Sequence, residues 1–200
     1  MPRRPREVSS SGFYHVYARG TGGLVCFEDD DDHAWQYALF GTVVERHEWT
    51  IHAQCLMRTH HHLLVEVPAH QALSRGMHLL GTCQAMRLNS RREYGHVTAG
   101  RFGSSALHTH DAVASAAIYI AANPVAAGLV DDPRDYRWTS HRATLGIEPA
   151  PPWLDAGWLP RLFAPDREHG RTQYGRHVAE TCARLIAARP GADRRAEQPA

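Results

Sequence analysis

Two hundred residues, 43% hydrophobic and 22% charged, describe a globular chain long enough to bury a core without covalent staples, and exclude a disordered protein. A formal net charge of +1 excludes a broad histone-like basic surface, although a local patch can still carry phosphate contacts. All 22 basic residues are arginine, which we read as composition bias. The cysteines Cys26, Cys55, Cys83 and Cys182 form no C-x-x-C pair and are expected as small buried groups in a reducing compartment. No signal-peptide pattern and no stretch of membrane-span length is present, so a cytoplasmic protein without membrane association is expected.

In chain order, residues 1–11 read as a flexible, arginine-bearing arm. Phe13 to Ala18 (FYHVYA) is aromatic and β-branched, the pattern of a strand, and a glycine-rich turn follows. The acidic run Glu28 to Asp32 suits a helix N-terminus, and the spacing predicts a helix over about 33–47. Residues 49–56 alternate as a strand. Residues 60–67 form a second strand so soon afterwards that an antiparallel hairpin is expected. A long helix over 71–94 and a strand over 101–108 come next. Asp111 is placed as the cap of a helix running from 112 to 122 or 123, stopped by Pro124 because the residue before proline resists helical geometry. A turn region (131–146), a proline- and tryptophan-rich docking linker (150–165), a last helix (167–188) and a polar tail complete the chain. Strand, helix, strand, strand, helix, strand is the order of an α+β, ferredoxin-like split βαβ fold with a four-stranded antiparallel sheet. Two helices would pack on one face, leaving the other to receive an added helix carrying Tyr119. The divisions expected are 1–11 arm, 12–146 catalytic domain, 147–188 C-terminal helical extension and 189–200 disordered tail.

Chemistry concentrates at two places. His60, His61 and His62 are consecutive, and strand alternation turns His60 and His62 to one face and His61 to the other. With their Cα atoms about 6–7 Å apart, the two imidazoles can converge on one cation. Alone, H-x-H is a weak signal, more often a surface or core pair than a metal site. Tyr119 and Asn123 lie four apart on the third helix and share a face with Ser115; an isolated Tyr/Asn pair is more often packing. Together the four residues offer a phenol nucleophile beside an open cation site of two imidazoles and an amide oxygen, a combination suited to attack on a phosphodiester.

The segments MRTHHHLLVE (57–66) and YIAANPVAAGLV (119–130) resemble motifs of the single-tyrosine HUH transposases, in particular the REP-associated tyrosine transposase branch. GFYHVYARG, GRFGSS, YRWTSHRATLG and the C-terminal WLPRLFAPDREHGRTQYGRHV also resemble that family, and the similarity spans about 12–178. The resemblance implies the ferredoxin-like fold and a Mg2+ or Mn2+ ion on His60, His62 and Asn123. It implies Tyr119 as the nucleophile that forms a 5′-phosphotyrosine, and a single-stranded DNA substrate with an adjacent palindromic hairpin. It implies either a monomer or a homodimer that exchanges the tyrosine helix. The sequence departs from the family pattern where His61 takes the hydrophobic slot between the ligands, where Arg58-Thr59 replaces proline-asparagine, and where Ala126-Ala127 lacks a frequent arginine.

Arg3, Arg4 and Arg6 on the arm, and Arg87, Arg91, Arg92 and Arg101, are the candidate DNA-binding residues, each weighed against a solvated surface role. Trp138 is read as core packing before base stacking, and His15 and Glu66 as supporting residues beside the site. Two other functions fit the same residues: a metal phosphodiesterase that uses water without Tyr119, and a non-catalytic DNA-hairpin-binding module.

Overall fold

The structure, a computed structural model, describes residues 6–91, 95 and 97–189. Strands β1 (Phe13–Arg19), β2 (Thr50–Met57), β3 (His60–Glu66) and β4 (Gly103–Leu107) form one sheet in the order β2-β3-β1-β4, with every neighbouring pair antiparallel. This is the split βαβ arrangement expected from the sequence. Helices α1 (Asp30–His47) and α2 (His70–Arg91) cover one face, with Tyr14, Val16, Phe40, Leu63, Val65 and Leu80 in the core between. Helices α3 (His110–Ala126) and α5 (Arg167–Ala187) cover part of the other, over Phe13, Ala53, Cys55, Leu64 and Leu107. Alternation along β3 produces both layers, since Leu63 and Val65 enter the first core and Leu64 the second.

Helix α1 begins three residues before the sequence expectation. Asp29 caps it by accepting from the Asp32 amide at 2.9 Å, and Asp30, Asp31 and Asp32 fill the first turn at the positive end of the dipole. Two expectations about α3 are corrected. Its cap is Thr109, whose hydroxyl accepts from the Ala112 amide at 3.2 Å, while Asp111 sits in the first turn. The helix also runs through Pro124 to Ala126. Proline removes one donor and disfavours helical geometry before it, but Ile120, Ala121, Ala122 and Val125 are all buried against the sheet and α5, and that burial outweighs the local preference. The freed end is satisfied by other donors: Ala127 N–H to the Asn123 carbonyl at 2.9 Å, Leu129 N–H to Pro124 at 3.0 Å, and the Arg189 guanidinium to Val125 at 2.6 Å.

Residues beyond the sheet close its β2 edge. Leu56 N–H donates to the Trp138 carbonyl at 2.9 Å and Ser140 N–H to Gln54 at 3.0 Å, and Leu154 bridges Ile51 in parallel. The 150–165 segment thus docks as expected, with Trp158 stacked on Phe13 at 5.0 Å. Tyr174 and Val178 of α5 lie in the same core as α3, so the C-terminal helix is part of the body that carries the site. The short helix α4 (His141–Leu145) packs beside it. No helix among the described residues is long and apolar enough to cross a membrane.

Candidate active site on the α3 face of the sheet

The β2–β3 turn decides where the histidines go. Arg58 and Thr59 form its two-residue tip, and neighbouring backbone holds both: the Arg58 carbonyl accepts from the Cys26 amide at 2.7 Å and from Phe27 at 3.1 Å, and the Thr59 carbonyl accepts from Gly20 at 2.8 Å. The stiffness that a proline would give locally is supplied here by bonds from a distant loop. β3 starts immediately after the tip. His60 and His62 point to the α3 side and His61 into the α1–α2 core, 2% exposed with its ring edge-on to Phe40. His61 is therefore a core imidazole, as its position demands, but neither ring nitrogen has a hydrogen-bond partner among the described residues. Burial, with the His60 charge adding to it, pushes its pKa down to about 4.

On the α3 side the two rings of the pair meet edge-to-face with centroids 5.1 Å apart. Each uses Nδ1 for an internal hydrogen bond: His60 with Thr59 Oγ1 at 3.0 Å, and His62 with His15 Nε2 at 3.0 Å. That leaves Nε2 of each ring for an external ligand, the arrangement in which a second hydrogen bond fixes an imidazole for a cation. Burial lowers the pKa of His62 to about 3, helped by the charges of His15, His60, His61 and Arg19, and lowers that of His60, helped by Arg19. His15 is also lowered by burial. All three are neutral at neutral pH, so a cation would not compete with a proton for them.

Tyr119 stands on the exposed strip of α3, half exposed at 51%, with its ring edge-on to both His62 and His15 at 5.6 Å between centroids. One turn on, Asn123 is buried and donates Nδ2 to the Tyr119 carbonyl at 2.9 Å, which leaves its Oδ1 as the ligand-capable atom. Among the described residues no set of three or more His, Cys, Asp and Glu side chains is arranged to hold a metal ion. A cation here would rest on two imidazoles and an amide oxygen, with positions left for phosphate oxygens. That donor set suits manganese better than magnesium, because imidazole is the softer ligand.

Of the candidate arginines, Arg3, Arg4 and Arg92 lie outside the described residues. Arg87 and Arg91 are drawn onto the buried Asp32 at 2.9 and 2.6 Å, on the α1–α2 side of the sheet. Arg6 lies over the Phe102 ring at 3.6 Å and donates to its carbonyl, beside Arg101. Arg19, which is not among the candidate arginines, is exposed, pairs in register with His60, and is the arginine whose charge reaches both site histidines. Its signal was available: it continues the alternate face of β1 that carries His15 and Tyr17. Glu66 sits at the far end of β3 and takes His52 at 3.2 Å, and Trp138 stacks on His33 at 4.3 Å.

No curated protein sequence matches the chain. A solved structure described as the REP-associated tyrosine transposase bound to a REP hairpin superposes with a TM-score of 0.62, at 15% identity, over 76% of this chain and 89% of that one. The two share a fold. The family model described as "Transposase IS200 like" matches residues 14–112, from β1 through the histidine pair to the first residues of α3. Over those residues, about half of the chain, the protein is similar to the IS200-like transposases.

Proposed function

We propose that this protein cuts and rejoins single-stranded DNA beside a hairpin through a phosphotyrosine at Tyr119. The observation that carries the reading is the half-exposed Tyr119 ring standing against His62 and His15, with Asn123 one turn away. The Tyr119 hydroxyl oxygen attacks phosphorus and the P–O3′ bond breaks. The 5′-phosphate stays on the tyrosine, the phenol proton passes to water, and the departing 3′ oxygen takes one up. A 3′-OH attacking in return restores the phosphodiester, one ester exchanged for another without ATP.

His60, His62 and Asn123 would hold a divalent cation, Mn2+ or Mg2+, which supplies charge neutralisation at the non-bridging oxygens of the attacked phosphate. The chain's own part is orientation. With Nε2 of His62 turned to a cation, its Nδ1–H donates to His15 Nε2, which places the His15 proton on Nδ1 and fixes both tautomers. His60 is fixed in the same way through Thr59. Tyr119 stands against the histidines of its own chain, which supports a monomer acting in cis. The hairpin in the similar solved structure supports the same DNA form as the substrate.

The test is a labelled hairpin oligonucleotide with single-stranded flanks, drawn from the inverted repeats nearest the coding sequence, incubated with protein and Mn2+. A denaturant-stable adduct mapping to Tyr119 is expected. Tyr119→Phe should abolish it and His60→Ala should reduce it by at least roughly 100-fold. Cleavage that survives Tyr119→Phe would replace this reading with a water-using phosphodiesterase. Hairpin binding with no adduct under any metal would leave a binding module.

A further inference from the structure

Strand β1 carries a side chain that neither the core nor the proposed chemistry uses. Tyr17 pairs in register with His62 on one side and Gly103 on the other. The other β1 aromatics, Phe13 and Tyr14, are buried, but Tyr17 is 43% exposed. Its ring centroid lies 5.7 Å from His62 and 6.0 Å from His15, and no hydrogen-bond partner for its hydroxyl occurs among the described residues.

Gly103 explains how the ring lies there. A Cβ at Gly103 would fall against the ring carbons and 2.6 Å from the hydroxyl oxygen. The backbone of Gly103 does not adopt positive φ, so conformation alone does not require glycine. Glycine inside a strand is unfavourable, and here the ring above it is what excludes a side chain. Beyond Tyr17 the surface falls into a groove of about 940 Å³ lined by Arg19, Arg101, Phe102, Asn89 and the exposed Met86.

We infer that Tyr17 is a nucleobase-stacking residue, the platform on which one base next to the attacked phosphate lies, with the strand continuing into the arginine-bearing groove. The inference rests on the proposed function. A phosphate presented to Tyr119 carries unpaired bases on both sides, and each must set its π-face against something or against water. Tyr17 offers a flat ring already seated beside His62. Aromatic stacking tolerates any base and contributes about 10- to 100-fold in affinity per base.

The experiment measures binding in the Tyr119→Phe background, where cleavage does not intervene, using the hairpin oligonucleotide above with single abasic substitutions walked along both flanks. One abasic position near the cleaved bond should weaken binding about 10-fold or more. Tyr17→Leu should lose as much on the intact strand and become insensitive to that abasic position, while Tyr17→Trp retains both affinity and sensitivity. Gly103→Ala, which displaces the ring, should mimic Tyr17→Leu. Unaltered affinity in Tyr17→Leu, a loss that simply adds to every abasic position, or wild-type protein that binds no such strand overturns the inference. Adduct formation by the Tyr119-intact protein is scored separately, so a failure of the chemistry is distinguishable from a failure of the stacking site.

Discussion

Between the two site histidines, β3 turns an imidazole into an apolar layer where Nδ1 and Nε2 of His61 both lack partners among the described residues. An unsatisfied buried polar group costs roughly 1–3 kcal/mol, and the edge contact with Phe40 recovers only about 0.5 kcal/mol. His61→Leu keeps the volume and removes the penalty, so a gain of about 1–2 kcal/mol is expected, read as a rise in the urea unfolding midpoint at neutral pH. A lower midpoint would mean that the ring is hydrogen-bonded in solution. The alternation that sends His61 inward was legible because it needs only the period of a strand. Tyr17, Gly103 and Arg19 were not legible as a group, because their adjacency to His60 and His62 follows from the β1–β3 and β1–β4 registers. Arg87 and Arg91 show the converse. Helical spacing offers them to solvent, yet Asp32, buried in the folded chain and 55 residues before Arg87, takes both.

At the level of elements, the contact between the start of β2 and α2 rests on a side chain that is absent. Trp49 donates Nε1–H to the Ala72 carbonyl at 3.1 Å, and one turn later Gly76 lies under its ring, where a Cβ would come within 3.0 Å of that same nitrogen and closer to the ring carbons. Alanine at 76 would gain about 1 kcal/mol of helix propensity, but overpacking against a ring fixed by its hydrogen bond costs about 1–3 kcal/mol or more. Gly76→Ala is therefore expected to lower stability. Gly81, in the same helix with nothing among the described residues near its Cβ position, should gain roughly 0.5–1 kcal/mol on replacement by alanine. Thermal melts of the two variants should shift in opposite directions; equal shifts would remove the Trp49 argument. The elements themselves were readable from periodicity and turn residues, and their order specified the sheet. What periodicity could not supply was where a tertiary contact overrides a local signal: Thr109 rather than Asp111 as the cap of α3, and a helix carried through Pro124 by the burial of Ile120 and Val125.

Across the whole molecule the buried imidazoles tie stability to pH. Burial brings His61 to about 4 and also His141, which Tyr174 meets at 3.1 Å, from an ordinary value of 6.5. The unfolded chain therefore takes up protons on these rings before the folded chain does. Their contribution is intact above about pH 6.5 and is withdrawn as pH falls towards 4, on the order of 1–3 kcal/mol for each ring. Asp32 acts in a lower window. Burial raises its pKa, but the Glu28 amide and the Arg87 and Arg91 guanidiniums together bring it below the ordinary 3.8, so the α1–α2 ion pairs are lost only in stronger acid. The melting temperature should thus fall in two stages, the first between pH 6.5 and 4.5 and the second below about 4. Because His61 lies on β3, which both layers share, and His141 in the region that covers the β2 edge, protonation of either loosens the sheet as a whole. His61→Leu should flatten the first stage in part and leave the second unchanged, because His62, His15 and His60 are lowered by burial as well and titrate in the same window. A melting temperature that stays constant from pH 7 to pH 4.5 in the wild type would show that these rings are protonated as readily in the fold as out of it.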